Sequence, residues 1–152
     1  MKTFLDVPQK VHHGLWLATE LAGVFRSGRA LSLETVSRRA GISQGYLETI
    51  AGALRRAELI SGQRGQGGGY RLARDPWEIS VAEIIAAIEG PLDVVPCLGG
   101  APCDLVDECA NRDVWSRLRA QMVDFLAGTS VAEAAGLGRA KKLKSPIAKK
   151  HG

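Results

Sequence analysis

The stretch from Ser32 to Leu72 constrains the fold more than any other part of the chain. Ser32 offers a side-chain oxygen to cap a helix that runs through Glu34 and Val36 to about Ala40, where Gly41 stops it. Ser43 caps the next helix, whose buried face is predicted to carry Tyr46, Leu47, Ile50, Leu54 and Ala57 and which ends near Glu58. Two short helices separated by a glycine and a tight turn form the helix-turn-helix pattern. Residues 59–64 and 69–72 then read as two short strands joined by Gly65-Gln66-Gly67-Gly68. A hairpin directly after such a helix is a wing. Its glycines do not read as a nucleotide loop, which follows a strand and opens a helix, and no Lys-Ser/Thr comes after them. Turn geometry with positive φ accounts for them.

On either side of this unit the pattern is helical, so the fold class is mostly α with a small β-hairpin wing. Val11, Leu15, Ala18, Ala22 and Phe25 recur every three or four positions and predict a first helix that Gly28 closes. After Asp75-Pro76, Ser80 and Glu83 form a capping box for a fourth helix carrying Ile84, Ile85 and Ile88, expected to pack beneath the wing. Residues 91–108 hold Pro96, Gly99, Gly100 and Pro102 without periodicity and read as a loop. From Cys109 to about Ala127, a stripe of Trp115, Leu118, Met122, Phe125 and Leu126 predicts a long helix that packs on a partner. Ser130 and Glu133 cap one short further helix. The expected organisation is a winged-helix unit over 1–75, a loop and dimerisation helix over 76–137, and a disordered basic tail over 138–152.

Charge is strongly segregated. Residues 26–74 carry nine Arg against three Glu, whereas residues 75–138 carry three Arg against eleven Asp and Glu. One part of the molecule therefore attracts a polyanion and another repels it. Arg139 and five Lys follow with no acid, and their counterion release is expected to strengthen binding to any duplex without selecting sequence. There is no run of about 18 uncharged apolar residues and no leader pattern, which predicts a cytoplasmic protein without membrane contact. No Ser-His-Asp grouping, carboxylate pair or phosphate loop can be assembled, so an enzyme is not expected.

In a helix-turn-helix the early exposed residues of the second helix reach base edges. Here these are Ser43, Gln44, Gly45, Glu48 and Thr49, with Tyr46 and the wing residue Gly65 added to the candidate DNA surface. A glutamine such as Gln44 pairs with adenine, and a glutamate such as Glu48 accepts from a cytosine amino group. Arg55, Arg56 and Arg64 are placed to neutralise phosphates or enter the minor groove.

Cys97, Cys103 and Cys109 are separated by five residues each time. Three cysteines make no closed disulfide framework. Structural zinc pairs lie two to four residues apart, and ferredoxin runs use two- or four-residue gaps, so neither standard spacing applies. A Gly- and Pro-rich loop can wrap a bulky centre, and thiolates select iron–sulfur clusters or zinc over hard cations. A thiol or zinc sensor of the same fold without a cluster is the alternative.

Tyr46-Leu47-Glu48, the run Leu54-Arg55-Arg56-Ala57-Glu58-Leu59-Ile60, the run Arg64 to Leu72 through Gly65-Gln66-Gly67-Gly68-Gly69, and the Cys-x5-Cys-x5-Cys loop together resemble the IscR/NsrR-like, Rrf-type winged-helix iron–sulfur transcription regulators. The resemblance runs in unbroken order from about residue 11 to residue 133. It implies a homodimer with crossed long helices, a cluster near the dimer interface, palindromic double-stranded operator DNA, and a DNA affinity set by cluster state. It also implies that Arg64 enters the minor groove, and the IscR-like branch points to [2Fe–2S] rather than [4Fe–4S]. That branch carries a histidine three residues after the third cysteine, where this chain has Arg112. Arginine is never a neutral donor and cannot ligate. Relatives that take a ligand from early helix 1 point instead to His12, with His13, Asp6, Asp104, Asp107 and Glu108 as alternatives.

Overall fold

The computed structural model describes residues 4–138; the basic tail from Arg139 onward lies outside the described residues. Helix α1, Gln9–Val24, buries Val11, Gly14, Leu17, Ala18, Leu21 and Ala22 along one face and ends in a single 3-10 turn, Phe25–Ser27, closed by Gly28. The buried stripe is centred on Leu17 and Leu21, and the predicted Leu15 and Phe25 lie at its half-buried margins.

The two short helices form as the caps predict. In α2, Leu33–Ala40, the Ser32 hydroxyl accepts from the Thr35 backbone N–H at 3.2 Å. Gly41, in the left-handed region at φ 67°, donates to the Ser37 carbonyl and turns the chain. In α3, Gln44–Arg56, the Ser43 hydroxyl accepts from the Tyr46 N–H at 3.3 Å. Leu47, Ile50, Ala51 and Leu54 are buried at positions one helical turn apart. Ala57 is exposed, contrary to its expected place on that face. The chain has already left the helix there: Glu58 takes φ 59°, its N–H bonds the Arg55 carbonyl, and the Leu59 N–H bonds that of Leu54. This pair of bonds is a Schellman termination, and it swings Leu59 rather than Ala57 into the core.

Strands β1, Ile60–Gln63, and β2, Gly69–Leu72, pair antiparallel with Ile60 opposite Leu72 and Gln63 opposite Gly69. Leu31 adds a third short edge, exchanging both backbone bonds with Tyr70 at 2.9 Å. Gly69 permits that approach. A Cβ there would collide with the Leu31 carbonyl, and φ is 146°.

Helix α4, Val81–Glu89, opens with the predicted capping box, in which the Ser80 hydroxyl accepts from the Glu83 N–H and the Glu83 carboxylate accepts from the Ser80 N–H. Partial burial pushes the Glu83 carboxyl up, but the Ser80 N–H and the Arg74 guanidinium at 2.6 Å together hold it below the ordinary carboxylate range. The principal neighbours of α4 are α1, α3 and the next long helix, α5 (Asn111–Ala127), rather than the wing. Gly14 explains the choice: with no side chain at that point of α1, the Ile88 side chain packs directly into the gap.

The chain leaves this body at Gly90. It runs through a loop with one 3-10 turn, Pro96–Gly99, into α5, Asn111–Ala127, and returns at Thr129. Helix α6, Val131–Ala134, repeats the capping box with Ser130 and Glu133. Val81 donates to the Thr129 carbonyl and Val131 to that of Ile79, so α6 is sewn to the start of α4. Val131 and Ala132 are fully buried, and Val131 joins the core of α1, α3 and the hairpin. Among the described residues no helix is long and apolar enough to cross a membrane.

Candidate functional site

The recognition helix is two-faced. Its inner side is filled by Leu47, Ile50, Ala51 and Leu54, whereas Ser43, Gln44, Gly45, Glu48 and Thr49 are all exposed. Gln44 and Glu48 stand one turn apart, and the Gln44 amide donates to the Glu48 carboxylate at 3.4 Å. The Thr49 hydroxyl turns back to the Gly45 carbonyl at 3.2 Å. Tyr46 lies between the two faces. Its ring is half-buried and its hydroxyl sits 3.4 Å from Nδ1 of His13, joining the start of α3 to α1. Arg55, Arg56, Arg64 and Gly65 are exposed, and none of these three arginines forms an ion pair among the described residues. Unpaired, solvated guanidinium groups beside a row of polar side chains make a surface suited to phosphates and base edges.

The three cysteines lie along the excursion between α4 and α5. Cys97, in the 3-10 turn, is half-buried; Cys103 and Cys109 are exposed, and all three are free thiols. The predicted helix from Cys109 begins two residues later, at Asn111, so Cys109 belongs to the loop, with its carbonyl accepting from the Arg112 N–H at 3.2 Å. His12 is exposed on α1 and lies beside His13, with ring centroids 5.7 Å apart. Asp6, Asp104, Asp107 and Glu108 are also exposed. Among the described residues, no three His, Cys, Asp or Glu side chains are gathered as a metal-binding group. The donor set itself fits a thiophilic centre: three unpaired thiols on a Gly- and Pro-rich segment with little regular structure.

Two residues that no sequence spacing singles out stand out beside this loop. Arg119 of α5 donates through Nε to the Leu92 carbonyl at 2.9 Å and lies 3.2 Å from the Asp93 carboxylate. Helix α5 buries none of its residues in the protomer, and Val114, Val123 and Phe125 are exposed. An apolar cleft of about 580 Å³ runs beside it, lined among others by Phe4, Val7, Ile85, Leu92, Met122 and Leu126.

Comparison with known proteins matches this architecture. The chain is 38% identical over 101 residues to the HTH-type transcriptional regulator IscR of Vibrio vulnificus, a match that covers 66% of this chain and 60% of that protein. The global cysteine regulator CymR of B. subtilis superposes with a TM-score of 0.76 at 30% identity, over 89% of this chain and 99% of that one. IscR of T. potens superposes with a TM-score of 0.72 at 28% identity, over 94% and 95%. The Rrf2 family, described as iron-dependent transcriptional regulators, matches residues 7–136, and the chain belongs to that family.

Proposed function

We propose that the protein is a homodimeric, cytoplasmic regulator that binds palindromic operator DNA through α3 and the wing, with an affinity set by an iron–sulfur cluster. The observation that carries the DNA reading is the division of α3 into a fully packed face and a face of exposed Ser43, Gln44, Gly45, Glu48 and Thr49, next to the unpaired Arg55, Arg56 and Arg64. Gln44 and Glu48 read base edges, and the arginines bind phosphates, with Arg64 at the hairpin entering the minor groove. The α5 stripe of Trp115, Leu118, Met122, Phe125 and Leu126, none of it fully buried and Phe125 exposed, supports a second subunit, since such a stripe on a small protein is otherwise an aggregation liability.

Cys97, Cys103 and Cys109 would hold the cluster, with His12 as fourth ligand from the second subunit and [2Fe–2S] as the nuclearity. A cluster so held supplies a charge and a set of bonds that change with iron supply and redox state. The residues around it convey the change. His12 adjoins His13, and His13 touches Tyr46 at the start of the recognition helix, so a shift at His12 bears on the placement of α3. Two recognition helices grip a palindrome only at the matching spacing.

Selection from a random duplex pool with the anaerobically reconstituted protein tests the reading. Enrichment of an inverted repeat, together with visible absorbance that Cys103→Ala abolishes, is the expected result. No enriched sequence would overturn the DNA assignment. A second reading is favoured by the exposure of Cys103 and Cys109 and by the likeness to CymR, which has also been crystallised in an oxidized form from Staphylococcus aureus. In that reading the thiols themselves are the sensor. A colourless protein with reversible thiol oxidation or stoichiometric zinc would select it.

A further inference from the structure

We propose that Arg119 and Asp93 form a latch that fixes the Cys97 turn against α5 and thereby controls how readily the first thiolate is presented. This builds on the reading of Cys97 as a ligand or sensing thiol. Two contacts and one close approach meet at one point. Arg119 Nε lies 2.9 Å from the Leu92 carbonyl and 3.2 Å from Asp93 Oδ1, which ties the start of the loop to the middle of α5. The other carboxylate oxygen faces the 3-10 turn that carries Cys97. A Cβ built on Gly99 would lie 2.6 Å from Asp93 Oδ2 and 3.2 Å from its Cγ, so the carboxylate occupies the space a side chain at 99 would need. Gly99 does not have a positive φ, and its lack of a side chain matters only because Asp93 is there.

The latch is partly sheltered, with side chains 39% exposed at Arg119 and 25% at Asp93. A charge-assisted contact in that setting is stronger than one in open solvent. It is also the one ion pair among the described residues that joins the loop to α5. The rest of the loop is held by short-range backbone turns, such as Leu98 to Val95 and Val106 to Cys103. A segment with so few long-range hydrogen bonds opens locally at low cost, and one well-placed strut sets that cost. Cys97 is the half-buried thiol of the three and sits two residues from Gly99, so it is the thiol the strut shelters.

The test is the alkylation rate of each cysteine in the reduced, cluster-free full chain, followed site by site with mass spectrometry, with circular dichroism to show that the fold is kept. Arg119→Gln should raise the Cys97 rate roughly fivefold or more, as expected when a local closing contact is lost, and change Cys109 by less than about twofold. Gly99→Ala should act in the same direction, because its methyl displaces the Asp93 carboxylate. In an Asp93→Ala background, which vacates that space, Gly99→Ala should add nothing. An unchanged Cys97 rate in folded Arg119→Gln, an equal rise at all three cysteines, or effects of Gly99→Ala that multiply with Asp93→Ala would each overturn the latch. The result is separate from the cluster reading. A responsive Cys97 in a protein that takes up no iron keeps the latch and removes the cluster, whereas an unresponsive Cys97 in a protein that holds a cluster does the reverse.

Discussion

Gln44 and Glu48 face solvent together, and each restrains the other through the amide–carboxylate contact of 3.4 Å. In the proposed readout that contact favours one joint arrangement of the two side chains and lowers the ordering cost of meeting a base. Gln44→Ala or Glu48→Ala should each relax preference at defined base pairs by about 1–3 kcal/mol, and the double variant should lose less than the sum because the two act as a unit. Anisotropy titrations against single-base-pair variants of the selected operator check this; strictly additive losses would show that the two side chains work independently. At this scale much was legible. Polar residues placed just after the Ser43 cap can only be exposed if Leu47, Ile50 and Leu54 point inward, so the periodicity that finds the core also finds the reading face. The Asp93–Arg119 contact was not legible, because partners 26 positions apart on a loop and a helix leave no periodic trace.

The helix starts follow from single hydroxyls, and each cap expected from the sequence, at Ser32, Ser43, Ser80 and Ser130, accepts from a backbone N–H as required. Helix ends are harder to read, and α3 shows why. It terminates on Glu58 at φ 59°, where glycine is the usual residue, so the stop carries no residue-type signal and the helical period carries on through Ala57. The conformation is strained for glutamate. Glu58→Gly should stabilise the fold by about 1 kcal/mol, raising the urea midpoint at constant m-value. A lower midpoint would mean that the Glu58 side chain contributes more than its backbone costs. The partner of α4 is hidden from the sequence for a related reason. Its apolar stripe says that it packs but not on what, and the deciding feature is the absence of a side chain at Gly14, sixty-seven positions before Val81. The bridge from Leu31 to Tyr70 is likewise a long-range pairing of one residue with one residue, too short for any pattern.

In the whole molecule, the body made by α1 to α4, the hairpin and α6 is closed, and the loop with α5 is an excursion that leaves at Gly90, packs α5 against α4 and rejoins at Thr129. The excursion carries the three thiols ahead of α5 and, on α5, an apolar stripe of half-buried Trp115, Leu118, Met122 and Leu126 with Phe125 exposed, so in the proposed reading sensing and pairing with a second copy fall on the same excursion. Phe125, 52% exposed, belongs to that stripe. Phe125→Asp should weaken the dimer by roughly a hundredfold, as burying an unpaired charge requires, without loss of helix content. Sedimentation velocity over a concentration series measures it, and an unchanged dimer would place the interface elsewhere. In the proposed mechanism the two ends of the molecule are joined, and occupancy of the cysteine loop sets how tightly α3 and the wing hold DNA. The most direct test of this coupling is the affinity of one selected operator duplex for the same preparation before and after anaerobic cluster loading, at fixed salt because phosphate contacts make affinity salt-dependent. A change of about tenfold or more, the size of an ordinary allosteric coupling, is expected, and it should disappear in Cys103→Ala. Equal affinities for the loaded and unloaded protein would contradict it.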